Sequence, residues 1–198
     1  LTLYIADIRI CHNAVLNGDK ILDIDLAAYC FYLSSSVVAV FILDNVYLVL
    51  DDAEELVRVY SDKNALPFFN SDNCDGDNFY YPDEERMRQA IEFWLSSYSS
   101  ESFVRWTVVD KEKHKAVGTI ELFHRIANDD FNHVGLLRLD LKSEYETSDE
   151  ILTIMQLIVP PAFDLFECGR IITKVPLYAV ERIEAMKKMG FEKSEKLM

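Results

Sequence analysis

Positive charge is scarce in this chain. Lysine and arginine together number 20 against 34 aspartates and glutamates, a formal net charge of −14 over 198 residues. That balance argues against a nucleic-acid partner, whose phosphates recruit a basic surface, and against an anionic membrane surface. Metal-ligand spacing is missing too. The four cysteines (Cys11, Cys30, Cys74 and Cys168) form no C-x-x-C pair and the four histidines show no H-x-x-x-H. No metal site is therefore expected, and the thiols read as reduced and buried, as in a cytosolic protein. Internal repeats and low-complexity tracts are also lacking.

What is present suffices for a core. Half the residues are apolar and 12% are aromatic, the composition of a folded chain. An acidic field of this size suits a cationic partner such as an amine, although acidity for solubility alone gives the same composition. The uncharged run from Leu26 to Leu43 reaches 18 residues, long enough to raise a membrane span. Its flanks are acidic (Asp23, Asp25, Asp44), Ser34 to Ser36 interrupt it, and no basic leader or small-residue cleavage site accompanies it. Burial within the fold is the stronger reading, and no membrane partner is expected. The length suits one domain with an extension: 1–45 as an N-terminal extension of unread structure, and 46–198 as the main domain.

The periodicities give an alternating order of elements. Leu3 to Ile10 has a strand composition, Asn17-Gly18 is a hairpin-turn signal, and Val46 to Leu50 reads as a strand. Asp51-Asp52 then precede a helix from Ala53 to Tyr60, with Ala53, Leu56 and Tyr60 on one face. A second helix starts near Pro82, with Asp83, Glu84 and Glu85 at its positive end and Met87, Ala90, Ile91 and Trp94 as its apolar stripe. Phe103–Val109 and Ala116–Phe123 read as a hairpin, and Val134–Leu141 as the next strand. Thr147 opens a helix with Glu150 three residues on, a capping box, and Ile151, Ile154, Met155 and Ile158 face inward. Pro160-Pro161 is expected to bend or end that helix, because two N–H donors are lost. Ile171–Val175 is a strand, Val180–Met189 a helix, and Gly190 its C-terminal cap.

Three segments carry a resemblance: VYLVLDDAEEL from Val46 to Leu56, the strands from Trp106 to Phe123 closing on VGTIELF, and AVERIEAMKKMGF from Ala179 to Phe191. In this order and spacing they resemble the first strand and helix, the second and third strands, and the final helix of the GNAT N-acetyltransferase superfamily, in the branch that acts on ribosomal proteins. The resemblance covers Val46 to the end. It implies an α/β (α+β) fold: a mixed, mostly antiparallel central sheet flanked by helices, with a V-shaped split between the fourth and fifth core strands. It also implies a bacterial-type, cytoplasmic enzyme that moves acetyl from acetyl-CoA, as cosubstrate, to a primary amine on a small molecule or peptide by direct attack in a ternary complex. By the resemblance, the strand Leu139, Asp140 and Leu141 would pair with pantetheine, while Lys142, Ser143, Thr147, Ser148 and Asp149 would face the pyrophosphate at a helix N-terminus. The family's final hairpin is shortened here, so a homodimer partner or the N-terminal extension would complete the sheet.

Several positions depart from the family pattern. The loop positions that usually carry Arg or Gln, then Gly, then Gly or Ala fall on Glu144, Thr147 and Asp149. A helix dipole offers an anion about 0.3–1 kcal/mol, up to about 2 when partly buried. Each nearby carboxylate, at about 7 Å in water, opposes it by roughly 0.6 kcal/mol, so Glu144, Glu146, Asp149 and Glu150 cancel the usual advantage. The family's frequent Asn, Ser and Tyr in the last helix fall on Ala179, Arg182 and Met186. Tyr178 or Tyr145 is left as the proton donor to the departing thiolate. Glu121 is the candidate general base, sharing a strand face with Thr119 and Phe123, and Asp140 is the runner-up. Asp72, Asp75 and Asp77 read as an acidic wall for a cationic acceptor or as a solvated turn; their spacing does not fit a calcium loop. The alternative to an enzyme is a degenerate GNAT-fold module that binds or interacts without catalysis.

Overall fold

The computed structural model describes residues 2–7, 38–40, 52–69, 76–110 and 112–196. The strand expected at Val46–Leu50, the Asn17-Gly18 turn, Asp72, Asp75 and most of Leu26–Leu43 lie outside them. Among the described residues seven strands build one sheet: β1 (Thr2–Asp7), β2 (Val38–Val40), β3 (Val104–Asp110), β4 (Lys115–Arg125), β5 (Val134–Leu141), β6 (Arg170–Val175) and β7 (Glu192–Lys193), in the spatial order β2-β3-β4-β5-β6-β1-β7. Every neighbouring pair is antiparallel except β5 and β6. Both strands from the first 45 residues thus join the sheet. β1 inserts between β6 and the short β7, and β2 lies on the opposite edge against β3.

Among the described residues four α-helices flank the sheet: α1 (Ala53–Tyr60), α2 (Glu84–Ser99), α3 (Ser148–Leu165) and α4 (Val180–Lys188). Their ends follow local chemistry. Asp83 caps α2 by accepting the Arg86 N–H at 2.9 Å, and Thr147 caps α3 by accepting the Glu150 N–H at 3.4 Å. Asp52 sits at the N-cap of α1 without capping it; its carboxylate instead accepts from the Thr107 hydroxyl at 3.1 Å. α4 ends in a Schellman motif, with Gly190 at φ 90°, its N–H on the Lys187 carbonyl and the Phe191 N–H on the Met186 carbonyl. Pro160 and Pro161 neither end nor interrupt α3, which runs to Leu165. Val159, Ala162 and Phe163 are buried there, and burying that turn outweighs the lost intrahelical bonds.

β3, β4 and β5 present two unlike faces. On one, Trp106, Val108, Ile120, Leu122, Leu137, Leu139 and Leu141 pack with Ile151, Ile154, Met155 and Ile158 of α3. On the other, the alternating residues are polar and buried: Arg105, Thr119, Glu121 and Asp140. Above this second face stand α1 and α2 with their own cluster, including Tyr60, Phe79, Tyr81 and Trp94.

β5 and β6 pair only over Gly135↔Ile171, Leu136↔Ile172 and Leu137↔Thr173. β5 continues to Leu141 and β6 to Val175, so the two strands part over their C-terminal halves. β5 keeps β4 throughout, down to Gly118↔Leu141. Gly118 allows this close approach: a Cβ there would lie 2.3 Å from the Asp140 carbonyl oxygen. Among the described residues, no helix is long and apolar enough to cross a membrane.

Candidate functional site

The polar face is held by one guanidinium. Arg105, buried on β3, lies opposite Glu121 of β4, which lies opposite Arg138 of β5. Arg105 Nη2 donates to Glu121 Oε2 at 2.5 Å, and Arg138 Nη1 pairs with Glu121 Oε1 at 3.2 Å. Arg105 Nη1 lies 2.9 Å from Asp140 Oδ2, 2.8 Å from the Tyr60 hydroxyl and 2.9 Å from the Thr119 hydroxyl. The Tyr60 hydroxyl in turn donates to Asp140 Oδ2 at 3.0 Å. The guanidinium also stacks 4.3 Å from the Trp94 ring centroid, a cation–π contact strengthened by burial.

These contacts set the protonation states. Burial disfavours the Arg105 charge, but Glu121, Tyr60 and Asp140 outweigh it and raise the group well above its ordinary value. Burial and then the Asp140 charge push the Tyr60 hydroxyl well up, so it remains a neutral donor. Glu121, the sequence candidate for the base, has both oxygens held by guanidinium groups. Asp140 differs. Its Oδ2 is occupied, whereas its buried Oδ1 accepts no hydrogen bond among the described residues. A buried carboxylate oxygen without a donor is costly and invites one.

Hydrogen bonds tie together the segment between β5 and α3, the loop before α4 and its first turn, and the turn after α1. Lys142 N–H continues the β ladder to the Val117 carbonyl at 2.8 Å, and its Nζ pairs with Glu144 at 2.8 Å. Ser143 N–H is given to Asp62 Oδ2 at 2.9 Å. Burial pushes the Asp62 carboxyl up, but hydrogen bonds from Ser143, Asn64 and Ala65 outweigh this and leave it below the usual range. Ser148 N–H is given to Glu181 Oε2 of α4 at 2.7 Å. Ser148 Oγ accepts from Lys188 at 3.1 Å, and the same ammonium lies 3.4 Å from Asp149. Arg182 grips Glu146 with two donors, both side chains being buried. The exposed Tyr178 donates to the Pro67 carbonyl, and its ring meets Phe68 edge-on at 6.0 Å.

The structure therefore brings together Leu139, Asp140, Leu141, Lys142 and Ser143 along β5 and its exit, with Thr147, Ser148 and Asp149 at the start of α3. Leu139 and Leu141 turn their side chains to the α3 core, which leaves backbone alone for any extended ligand. Tyr145 is engaged elsewhere, donating to Asp110 at 2.5 Å and accepting from Lys113 at 2.7 Å. Asp77 is satisfied internally by the Phe79 N–H, the Tyr81 hydroxyl and Arg86. Its carboxylate is committed to its own loop and to Arg86 of α2. His124 and His133 meet each other, ring nitrogens 3.3 Å apart. Among the described residues, no group of histidine, cysteine, aspartate or glutamate side chains is arranged to hold a metal ion. Sequence reading missed Arg105, Tyr60 and Arg138. The hairpin register gives a signal for the two arginines, since it sets each directly across from Glu121; nothing local marks Tyr60.

No known family model matches the sequence, and no curated protein sequence matches it. Solved structures do match in fold. A ribosomal-protein-S5-alanine acetyltransferase from Vibrio fischeri aligns at TM-score 0.60 and 18% identity, over 82% of each chain. A GNAT-family acetyltransferase from Bacillus anthracis aligns at TM-score 0.57 and 14% identity, over 81% of this chain and 82% of that one. The microcin C7 self-immunity acetyltransferase MccE, solved with acetyl-CoA and AMP, aligns at TM-score 0.60 and 14% identity, over 79% of each. At these identities the likeness is one of fold: the chain is built on the GNAT architecture.

Proposed function

We propose that this chain, with its GNAT fold, is an N-acetyltransferase that moves acetyl from acetyl-CoA to a primary amine of a small molecule or peptide. The observation that carries the reading is the parting of β5 and β6 beyond Leu137↔Thr173. It leaves the β6-facing edge of β5 without a strand partner just where an amide-bearing pantetheine arm would pair in extended form. A thioester drawn along that edge lies beside the polar sheet face. The amine nitrogen attacks the thioester carbonyl carbon, the C–N bond forms, the C–S bond breaks and the electron pair leaves on sulfur. Asp140 Oδ1, the oxygen without a donor, receives the proton from the nitrogen, because only the neutral amine is nucleophilic. Glu121 acts as a positioning residue that holds Arg105 and Arg138. Tyr178, exposed at the mouth on the loop after β6, gives its proton to the thiolate when it leaves the Pro67 carbonyl.

Calorimetric titration with acetyl-CoA tests the binding half; no heat at millimolar ligand overturns the reading. The catalytic half is tested by Asp140→Asn, which keeps the shape and removes the base. Turnover should fall by about two orders of magnitude with KM little changed. Equal turnover dismisses the assignment of Asp140.

A second reading has an observation of its own. The donors that a pyrophosphate would use are filled by carboxylates of the chain, Asp62 on Ser143 and Glu181 on Ser148. This favours a fold that keeps the split but serves as an interaction module. The same titration separates the two.

A further inference from the structure

One short segment packs on both sides of the sheet. Residues 61–69 follow α1 on the polar face. Ala65 and Phe69 are buried in the cluster of α1 and α2, and Leu66 packs against that cluster. Phe68 packs instead against the core of the α3 face. Its ring meets Tyr178 edge-on at 6.0 Å, and the Arg182 guanidinium of α4 lies 6.0 Å from its centroid. Paired strands keep the two faces of a sheet apart, so a segment on one face reaches the other only at an edge, a strand end or a gap. Two hydrogen bonds show where this one crosses. Asp62 takes the Ser143 N–H at 2.9 Å, just past the end of β5 at Leu141. The Pro67 carbonyl takes the Tyr178 hydroxyl, just past the end of β6 at Val175. The segment thus runs from the exit of one parted strand to the exit of the other.

We infer that residues 61–69 form a strap across the open end of the β5–β6 split, latched by Phe68, and that acetyl-CoA reaches the unpaired edge of β5 only when Phe68 withdraws. This rests on the acetyltransferase reading, whose cosubstrate the strap gates. An extended arm pairing with that edge enters between the two strand exits, and the strap is bonded to both. The latch is held more lightly than its surroundings. Phe68 is half-buried and Pro67 beside it is exposed. Of the two groups named against its ring, Tyr178 is exposed and Arg182 is already spent on Glu146. Ala65 and Phe69, on either side of it, stay buried with α1 and α2, so Phe68 can turn out while the strap keeps its own support. A ligand that binds only the open state has an apparent Kd equal to its intrinsic value divided by the open fraction. Loosening the latch therefore tightens binding, and the gain enters through association.

The test measures acetyl-CoA binding by calorimetry and stopped flow in the full chain and in Phe68→Ala, Phe68→Leu and Ile126→Ala. Ile126 is an exposed apolar residue just past Arg125, at the end of β4 away from Gly118↔Leu141. Phe68→Ala should bind about tenfold more tightly, through a faster association rate. Phe68→Leu, which keeps an apolar side chain in the core, should fall between, and Ile126→Ala should match the unaltered chain. Were Phe68 a wall of the site, its truncation would remove a contact and speed dissociation. Weaker or equal binding by Phe68→Ala, with the unaltered chain binding, therefore overturns the inference and leaves the acetyltransferase reading standing. Binding by Phe68→Ala alone supports the strap and removes that reading from the unaltered chain. If none of the four binds at millimolar concentration, the reading and the inference fall together. A second readout needs no ligand. The Ser143 amide proton, held by Asp62 on the strap, should exchange faster in Phe68→Ala, and unchanged protection means that Phe68 does not hold the strap down.

Discussion

Neighbouring residues of β5 live in opposite worlds. Leu139 and Leu141 disappear into the α3 core, while Arg138 and Asp140 between and beside them join a closed circuit of charges under α1 and α2. The apolar face asks only for volume and hydrophobicity, and each residue there contributes its own transfer energy. The polar face is all-or-none: its groups are tolerable only because each charge has its partner, and removing one strands the others.

The contrast can be broken most sharply at Arg105. Arg105→Ala leaves Glu121 with Arg138 and Asp140 with the neutral Tyr60 hydroxyl, and should cost about 3–5 kcal/mol in urea unfolding. A cost below about 1 kcal/mol would mean the circuit is not closed in solution. On the opposite face, Ile154→Ala should cost about 2–5 kcal/mol from lost burial and the cavity left behind, with unchanged dependence of stability on pH. The two changes should add in the double variant, because they share no partner. The smallest effect belongs to acid. Asp62 is held below its unfolded value, so its contribution to stability is complete above about pH 4 and disappears as the pH falls through the lower, folded value. Asp62→Asn should therefore unfold less steeply on acidification than the unaltered chain. An identical acid profile would remove the Asp62–Ser143 bond from the account.

The same contrast explains what was readable in advance. α1 and β5 fall on the residues their patterns mark, because a period of 3.6 or 2 is a local property of an apolar stripe. The capped start of α3 is equally local. Pro160-Pro161 misled because the energy that keeps α3 going is tertiary: it comes from Val159, Ala162 and Phe163 against the sheet. The site was harder to read. Glu121 stood out as a lone acid among apolar neighbours, and that isolation dissolves once the strands are in register and two arginines face it. Tyr60 and Glu181 act across packed helices, through contacts 80 and 33 residues away along the chain, for which no spacing rule exists.

Gly118 bears on how long the fork at β5 can last. Past Leu137 the tine that carries Asp140 is laced to β4 alone, and a methyl group at position 118 would press on its last rung, the Asp140 carbonyl and Leu141. A wedge there would splay the tine outward and carry off the Asp140 oxygen that lacks a donor. The smallest residue in the hairpin thus sets the alignment of the edge that β6 leaves without a partner, from the far side of the strand.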